Sequence, residues 1–320
     1  MLRVKYMVLL LGLAASVSAG QGGADNFDAR IALKVVDPEE RPVHGAEVTA
    51  RVPYWSVDPY GERIREVVRQ TGPQGGVMIR GRTSGALEFD VDHPAYYAGS
   101  WSFAFRARSV RQQVVLKPKK NPVPMIALRK VILPFPAQGE PLGFDLVKVD
   151  WLPPHGEGEV ADIRLSAKGR HASESAFRAV MQARFPGEHN GILPMDAPSF
   201  EEKSSLRSAH EAPRKKYRRR QLFEDVQEMK SELSGPPPGG WYFRIRSRTD
   251  DRGRVGGLYG KIYGNPVLMG AEKPMLRFEY LYIQPEFNSR NVEFDPSRNV
   301  AEEHVLERWH KSRYLDVEKP

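Results

Sequence analysis

The chain has 320 residues, 48 Lys plus Arg against 40 Asp plus Glu, a net charge of +8, and no Cys. The absence of Cys excludes disulfide scaffolds, thiolate metal sites and cysteine nucleophiles, while 40% hydrophobic residues are enough for a buried core. Gly and Pro make up about a sixth of the chain, above the usual ~12%, which favours short strands and many turns; the length predicts two domains.

Arg3 and Lys5 open the chain, Tyr6 to Val17 is an uncharged and largely apolar run, and Val17-Ser18-Ala19 places small residues before Gly20. This is the layout of a secretory signal peptide, residues 1–19, cleaved after Ala19. The run is shorter than the ~20 residues of a membrane-spanning helix, which weighs against an uncleaved anchor. The expectation is a secreted or periplasmic protein with no transmembrane segment after cleavage.

From residue 28 the pattern has period two. Ile31, Leu33 and Val35 alternate with more polar neighbours, and Asp37-Pro38-Glu39-Glu40-Arg41-Pro42 forms a turn. Strands are predicted over 46–52, 64–70, 77–82, 87–91, 101–105 and 113–116, with a hairpin or loop at Thr71-Gly72-Pro73-Gln74-Gly75-Gly76. Short strands at this spacing predict a β-sandwich.

Val36-Asp37, Arg41-Pro42-Val43-His44-Gly45-Ala46-Glu47-Val48, Thr71 ahead of Gly75, Phe89 and Tyr96-Tyr97 resemble the carboxypeptidase regulatory-like module of transthyretin-type fold over residues 28–118. Two departures are Thr71-Gly72 where the family has Thr-Asp, and a stretch from Tyr54 to Glu66 that reads as an insertion. The resemblance implies an accessory sandwich without catalytic residues. Tyr54, Trp55, Tyr96, Tyr97 and Trp101, with Tyr60, form a candidate aromatic platform for a carbohydrate or protein; the competing expectation is that they close the ends of the sandwich.

Residues 119–141 are Pro-rich and charged at their start and read as an extended linker. A second, mostly antiparallel β domain is predicted over 142–300, with strands at 143–151, 160–168 and 176–185. An Asp250-Asp251-Arg252-Gly253 hairpin joins 241–247 to 257–263. Leu276, Phe278, Tyr280 and Tyr282 are expected on one face of a strand, and 288–300 is expected to be a polar loop. Asn121-Pro122-Val123-Pro124-Met125, Gly143-Phe144-Asp145-Leu146 and Asn291-Val292-Glu293-Phe294-Asp295-Pro296 resemble the second half of exported bacterial proteins of unknown function. A helical insert is predicted over 199–233. Ser199 caps a first helix, Pro213 interrupts it, and a second runs from Arg214 to Leu233 with Tyr217, Leu222, Val226, Met229 and Leu233 along it. A C-terminal helix and tail occupy 301–320.

Arg214, Lys215, Lys216, Arg218, Arg219 and Arg220 are the candidate polyanion-binding residues, because each anionic group neutralised releases counterions and Arg forks grip oxyanions. The competing reading is a solvated helix face balanced by Glu224, Asp225, Glu228 and Glu232. Removal of residues 1–19 leaves a net +6. Residues 203–220 carry +7 and the rest of the mature chain −1, so any electrostatic function belongs to the insert.

Tests for chemistry find no catalytic residue, no cofactor-binding motif and no metal site. His304, Glu307 and His310 lack the spacing of a zinc helix, no Gly-x-Ser-x-Gly elbow exists, and no phosphate-cradling Gly-Lys-Ser or Gly-Lys-Thr occurs. Asp145, Asp150 and Asp162 would serve a glycoside hydrolase only if the fold brought two of them together across a cleft. The sequence therefore reads as an exported, non-catalytic binding or structural protein whose partner is an anionic polysaccharide or an acidic protein. Nucleic acid is disfavoured by export. A carbohydrate-active hydrolase and a purely structural envelope protein are the alternatives.

Overall fold

The computed structural model describes residues 27–55, 62–83, 86–104, 109–173, 176–196, 204–228, 239–269, 274–303 and 305. The signal peptide, Tyr60, the start and end of the 199–233 insert and nearly all of 301–320 lie outside them. No helix among the described residues is long and apolar enough to cross a membrane.

The N-terminal part is a sandwich of two sheets. Strands β1 (Phe27–Val36), β4 (Gly76–Thr83) and β7 (Ser109–Val115) form one, in the order β4-β1-β7. Strands β2 (Glu47–Trp55), β3 (Glu62–Gln70), β5 (Ala86–Asp92) and β6 (Gly99–Ala104) form the other, in the order β3-β2-β5-β6. All seven predicted strands are present, and the alternating positions Ile31, Leu33, Val35, Val48, Ala50 and Phe89 meet in one apolar cluster. The 71–76 break joins strands of different sheets and is a crossover rather than a hairpin. Buried Thr71 holds it: its hydroxyl donates to Val43 O (2.7 Å) and accepts from Ala46 N (2.8 Å). Gly75 sits at φ +69 with a would-be Cβ 2.3 Å from Val35 O, so only glycine fits there. Tyr54 and Trp55 lie on the β2 arm that pairs with β3.

The C-terminal part is a second pair of sheets. Strands β9 (Leu142–Asp145), β10 (Asp150–Trp151), β11 (Ile163–Ser173), β12 (Ala176–Arg184) and β14 (Arg220–Glu228) are ordered β10-β9-β11-β12-β14. Strands β8 (Val123–Pro134), β13 (Gly191–Pro194), β15 (Gly240–Thr249), β16 (Val255–Tyr263), β17 (Val267–Met269), β18 (Met275–Ile283) and β19 (Phe294–Asn299) are ordered β13-β15-β16-β18-β8-β19, with β17 beside β18. The two sheets close over a core that includes Phe144, Phe185, Phe243 and Phe278.

Four expectations are corrected. The segment expected to be a linker is extended, but most of it, Val123–Pro134, is β8, held between β18 and β19. The polar loop 288–300 contains β19, which runs parallel to β8. No helix forms over 214–228: Arg220–Glu228 is β14, paired along its whole length with β12, so its backbone bonds go to a neighbour and only Phe223 of its central apolar pair enters the core, Leu222 being 55% exposed. Leu276 and Phe278 face the main core, but Tyr280 and Tyr282 lie on the opposite side of the sheet. Lys130 on β8 adopts φ +51 between Arg129 and Val131, and past that irregularity the inward positions become Leu281 and Ile283.

Glu293 connects the sandwich to the second pair of sheets. It is 1% exposed, accepts from Tyr97 Oη (2.9 Å) and Lys120 N (2.7 Å) on one carboxylate oxygen, and from Asn121 N (2.9 Å) on the other. Replacing it with Ala leaves three donors without their acceptor. Glu293→Ala is expected to cost about 2–4 kcal/mol and to separate the melting of the two parts, measured by calorimetry of the mature chain.

Candidate functional site

The basic cluster lies on a strap, residues 204–219, that crosses the outer face of the seven-stranded sheet. Ser204, Leu206 and Ser208 alternate inward while Arg207 and Ala209 stay exposed, the period of an extended chain. Tyrosine hydroxyls on the sheet receive its backbone: Ala209 N donates to Tyr242 Oη (2.7 Å) and Arg207 N to Tyr263 Oη (3.2 Å). Ser205 N donates to Ala98 O (2.8 Å), and Lys117 Nζ to Leu206 O (3.2 Å), which ties the strap to the N-terminal sandwich. At its far end, Arg218 and Ile192 exchange backbone bonds of 2.8 and 2.9 Å before the chain enters β14.

Arg214, Lys215, Lys216, Arg218, Arg219 and Arg220 are all exposed, and no carboxylate among the described residues pairs with any of them. The helical balance expected from Glu224 is absent, because in the strand Glu224 pairs with Arg178 on β12. Lys216 holds φ +74, a conformation that costs a non-glycine residue ~1 kcal/mol or more. The strap is pinned there by Tyr217, whose hydroxyl donates to Pro213 O (2.9 Å).

Residues 214–216 form a ridge between two clefts. One, of about 790 Å³, is lined by Lys117, Arg207, His210 and Asp196 beside the ridge. The other, of about 870 Å³, is lined by Arg244, Arg254, Arg290, Glu188 and Asp250. In the second, Arg254 is paired with Asp250 and Arg290 with Glu211, but Arg244 has no carboxylate partner among the described residues. Arg244 is 8% exposed, stacks against Tyr217 (4.9 Å) and Tyr259 (6.0 Å), and donates to the carbonyls of His189 and Arg214. Both clefts therefore carry more cations than anions.

A second buried cation lies beneath the strap. Lys261, 1% exposed on β16, donates to Tyr263 Oη (3.0 Å) and Ser208 Oγ (3.2 Å) and lies against the rings of Tyr263 and Tyr282. Burial by itself would raise the Tyr263 phenol, but the Lys261 ammonium and the Ser208 contacts outweigh it and hold the phenol below its usual range. Burial pushes Tyr97, Tyr217 and Tyr282 the other way.

Of the candidate aromatic platform, the described side chains of Tyr96, Tyr97 and Trp101 do not form an exposed surface. Trp101 is 5% exposed and stacks on Phe89 at 5.9 Å within the sandwich core, and Tyr97 is spent on Glu293. Tyr96 is half-buried, edge-on to His93 at 5.1 Å. The side chains of Tyr54 and Trp55 fall outside the described residues. Aromatics at the ends of a small sandwich are drawn into its core because that area is otherwise left wet.

The three aspartates are structural groups as well. Asp145 accepts from Val147 N, Lys148 N, Glu159 N and Val160 N, and from Arg246 Nη2 at 2.7 Å. Asp162 accepts from Leu146 N and takes two bonds from Arg246, both 3.0 Å. Burial works to raise both carboxyls. It prevails at Asp162, whereas at Asp145 the backbone donors and Arg246 hold the group below its ordinary value. Asp150 accepts from Trp151 N and Glu157 N. Asp145 and Asp162 meet, but around one guanidinium in a buried site rather than across a cleft. Among the described residues no group of three His, Asp or Glu could hold a metal ion; His304 and His310 lie outside them.

Arg244, Lys261 and Glu293 carry the site's geometry and were not singled out in the sequence. The available signal was a charged residue at a strand position flanked by aromatics, as in Tyr242-Phe243-Arg244-Ile245 and Gly260-Lys261-Ile262-Tyr263.

No protein-family model matches the chain, and no curated protein matches it. Solved structures similar to it include a Bacteroides uniformis protein described as carbohydrate binding (9% identity, TM-score 0.22, covering 80% of this chain and 98% of that one). A streptococcal ancillary pilin (11%, 0.21, 78% and 58%) and the shaft pilin of Lactobacillus rhamnosus GG (9%, 0.24, 78% and 94%) are similar at the same level. TM-scores this low carry no argument about function.

Two outcomes are expected from this geometry. Arg246→Met strands two buried carboxylates and should cost about 3–5 kcal/mol in urea denaturation. In an ultraviolet phenol titration one tyrosine should ionise below the usual 10.0, and Lys261→Met should abolish that early step.

Proposed function

We propose that the protein is exported and non-catalytic, and that it binds an anionic glycan through the basic cluster at residues 214–220, the end of the strap and the first residue of β14. The observation that carries this reading is the set of six exposed cations with no carboxylate partner among the described residues, three of which, Arg214, Lys215 and Lys216, stand as a ridge between two cation-rich clefts. Self-repelling cations held on an ordered backbone are favourable once an anion arrives, because binding releases counterions and removes the repulsion. The N-terminal charge and apolar pattern supports export, and with it a polysaccharide rather than nucleic acid as the partner. The N-terminal sandwich is read as a carboxypeptidase regulatory-like module, supported by the Thr71 and Gly75 crossover beside Pro42-Val43-His44-Gly45. Its part is then to present the strap, through Ala98, Lys117 and Glu293.

Binding of the mature protein to an acidic polysaccharide should weaken steeply with salt, and binding to a neutral one should be absent. Replacing Arg218, Arg219 and Arg220 with Gln should lower affinity by about tenfold and flatten the salt slope. Affinity indifferent to both salt and these substitutions, measured by titration calorimetry at two ionic strengths, overturns the reading.

A further inference from the structure

Antiparallel pairing sets Arg164 of β11 opposite Arg184 of β12, and Arg184 opposite Arg220 of β14. Three arginines far apart in the sequence therefore stand in one row across three neighbouring strands, about 5 Å from strand to strand. All three are exposed. They share a face because the next residues along two of these strands, Leu165 and Ala183, point into the core, as does Phe223 three residues beyond Arg220. On β9 the position in register with Arg164 is Gly143, which adds no side chain to this face; Leu152 and Ala161 lie over it and close that end of the row.

The row has no answering charge among the described residues. No ion pair is formed by Arg164, Arg184 or Arg220 among the described residues. The same face adds Lys168 and Arg178, and its described anion, Glu224, is already paired with Arg178. Directly opposed like charges weaken a sheet, and here two such pairs occur in tandem. Cross-strand repulsion of this kind, on strands whose inward faces are well packed, marks a surface that gains by meeting an anion.

We propose that the Arg164–Arg184–Arg220 row is a binding track for an acidic polysaccharide, running across the strands of the five-stranded sheet and leading through Arg219 and Arg218 onto the strap. This rests on the reading of the strap as a polyanion site and extends it to residues that the strap does not contain. A linear polymer suits a straight row of forks that continues round the sheet edge. An anionic lipid surface suits it less, because Leu222 is the single exposed large apolar side chain on the described parts of these three strands. Carboxylated and sulfated chains share the oxyanion chemistry that the forks recognise.

The test uses the mature full chain and four probes: polygalacturonate, dextran sulfate, neutral dextran and vesicles of anionic phospholipid. The double variant Arg164→Gln/Arg184→Gln leaves the strap intact, and Arg218→Gln/Arg219→Gln leaves the track intact. The expected result is that the first variant loses about tenfold or more in affinity for at least one acidic polysaccharide, and that its melting temperature at low salt rises by about 1 °C or more because a repulsion has been removed. The polymer should raise the melting temperature of the wild type more than that of the variant. Whichever of polygalacturonate and dextran sulfate binds more tightly identifies the oxyanion. If Arg164→Gln/Arg184→Gln binds as the wild type does while Arg218→Gln/Arg219→Gln does not, the track is overturned and the strap reading stands. If neither acidic polymer binds the wild type, both fall. Binding confined to the vesicles and lost in the track variant overturns the polysaccharide assignment.

Discussion

The buried bridge of Arg246 to Asp145 and Asp162 is the constraint that places the rest of the second half. Arg246 belongs to β15 in the seven-stranded sheet, Asp145 ends β9, and Asp162 immediately precedes β11 in the five-stranded sheet. Three charges taken out of water are costly unless each finds partners. Here both carboxylates also accept backbone N–H groups of the loop between β9 and β11, so the bridge, the loop and the two sheets form one unit. Arg246 reaches them from φ +51, at the point where the pairing of β15 with β16 shifts register. Once β11 is fixed, β12 and β14 follow by pairing, and the arginine row is fixed with them.

The outer face of the seven-stranded sheet obeys a different rule. It is lined with tyrosines, and each offers both an apolar ring and a hydroxyl. The rings of Tyr242, Tyr259, Tyr263 and Tyr282 form an apolar layer, while the hydroxyls of Tyr242 and Tyr263 take up strap N–H groups that would otherwise lose their water on burial. Lys261 and Arg244 are tolerated there because ring faces supply part of what carboxylates would supply elsewhere. The strap is thus held by many moderate contacts, among them Arg207 over the Tyr263 ring (5.7 Å), while the cations of 214–219 have no ion pair among the described residues.

The strands were legible wherever one face was buried and the other wet, because that produces period two directly. Residues 31–35, 87–91 and 176–185 read correctly for this reason, the last despite its helix-compatible alanines. The 214–233 segment misled for the converse reason. Tyr217, Leu222 and Val226 recur at a helical interval, but a segment that completes the edge of an existing sheet gains a full ladder of hydrogen bonds with β12, and that tertiary gain exceeds any local preference. The change of face at Lys130 has no sequence mark, since left-handed backbone is favoured at glycine and asparagine and Lys130 is neither. The basic cluster was visible as composition, whereas Arg164 and Arg184 could not be added to it without the register of three strands.

The distribution of charge acquires a physical sense from these two surfaces. A protein without disulfides takes its stability from packing, and both cores here are dense with Phe, Leu, Ile and Val. Repulsion among exposed cations is weakened by water and salt and costs little against such cores. Cations taken wholly or partly out of water are treated differently: half-buried Arg246 has two carboxylates, and buried Lys261 and Arg244 have aromatic rings and oxygen acceptors. Among the described residues the chain thus answers its cations where leaving them unanswered would be expensive, and leaves exposed ones without an ion pair where it is cheap, along the strap and the arginine row as at Lys34, Arg248 and Arg252. Among the described residues the row is continuous with the strap cations and neither has an ion pair, and in the proposed reading the counter-charge of both comes from an acidic polysaccharide.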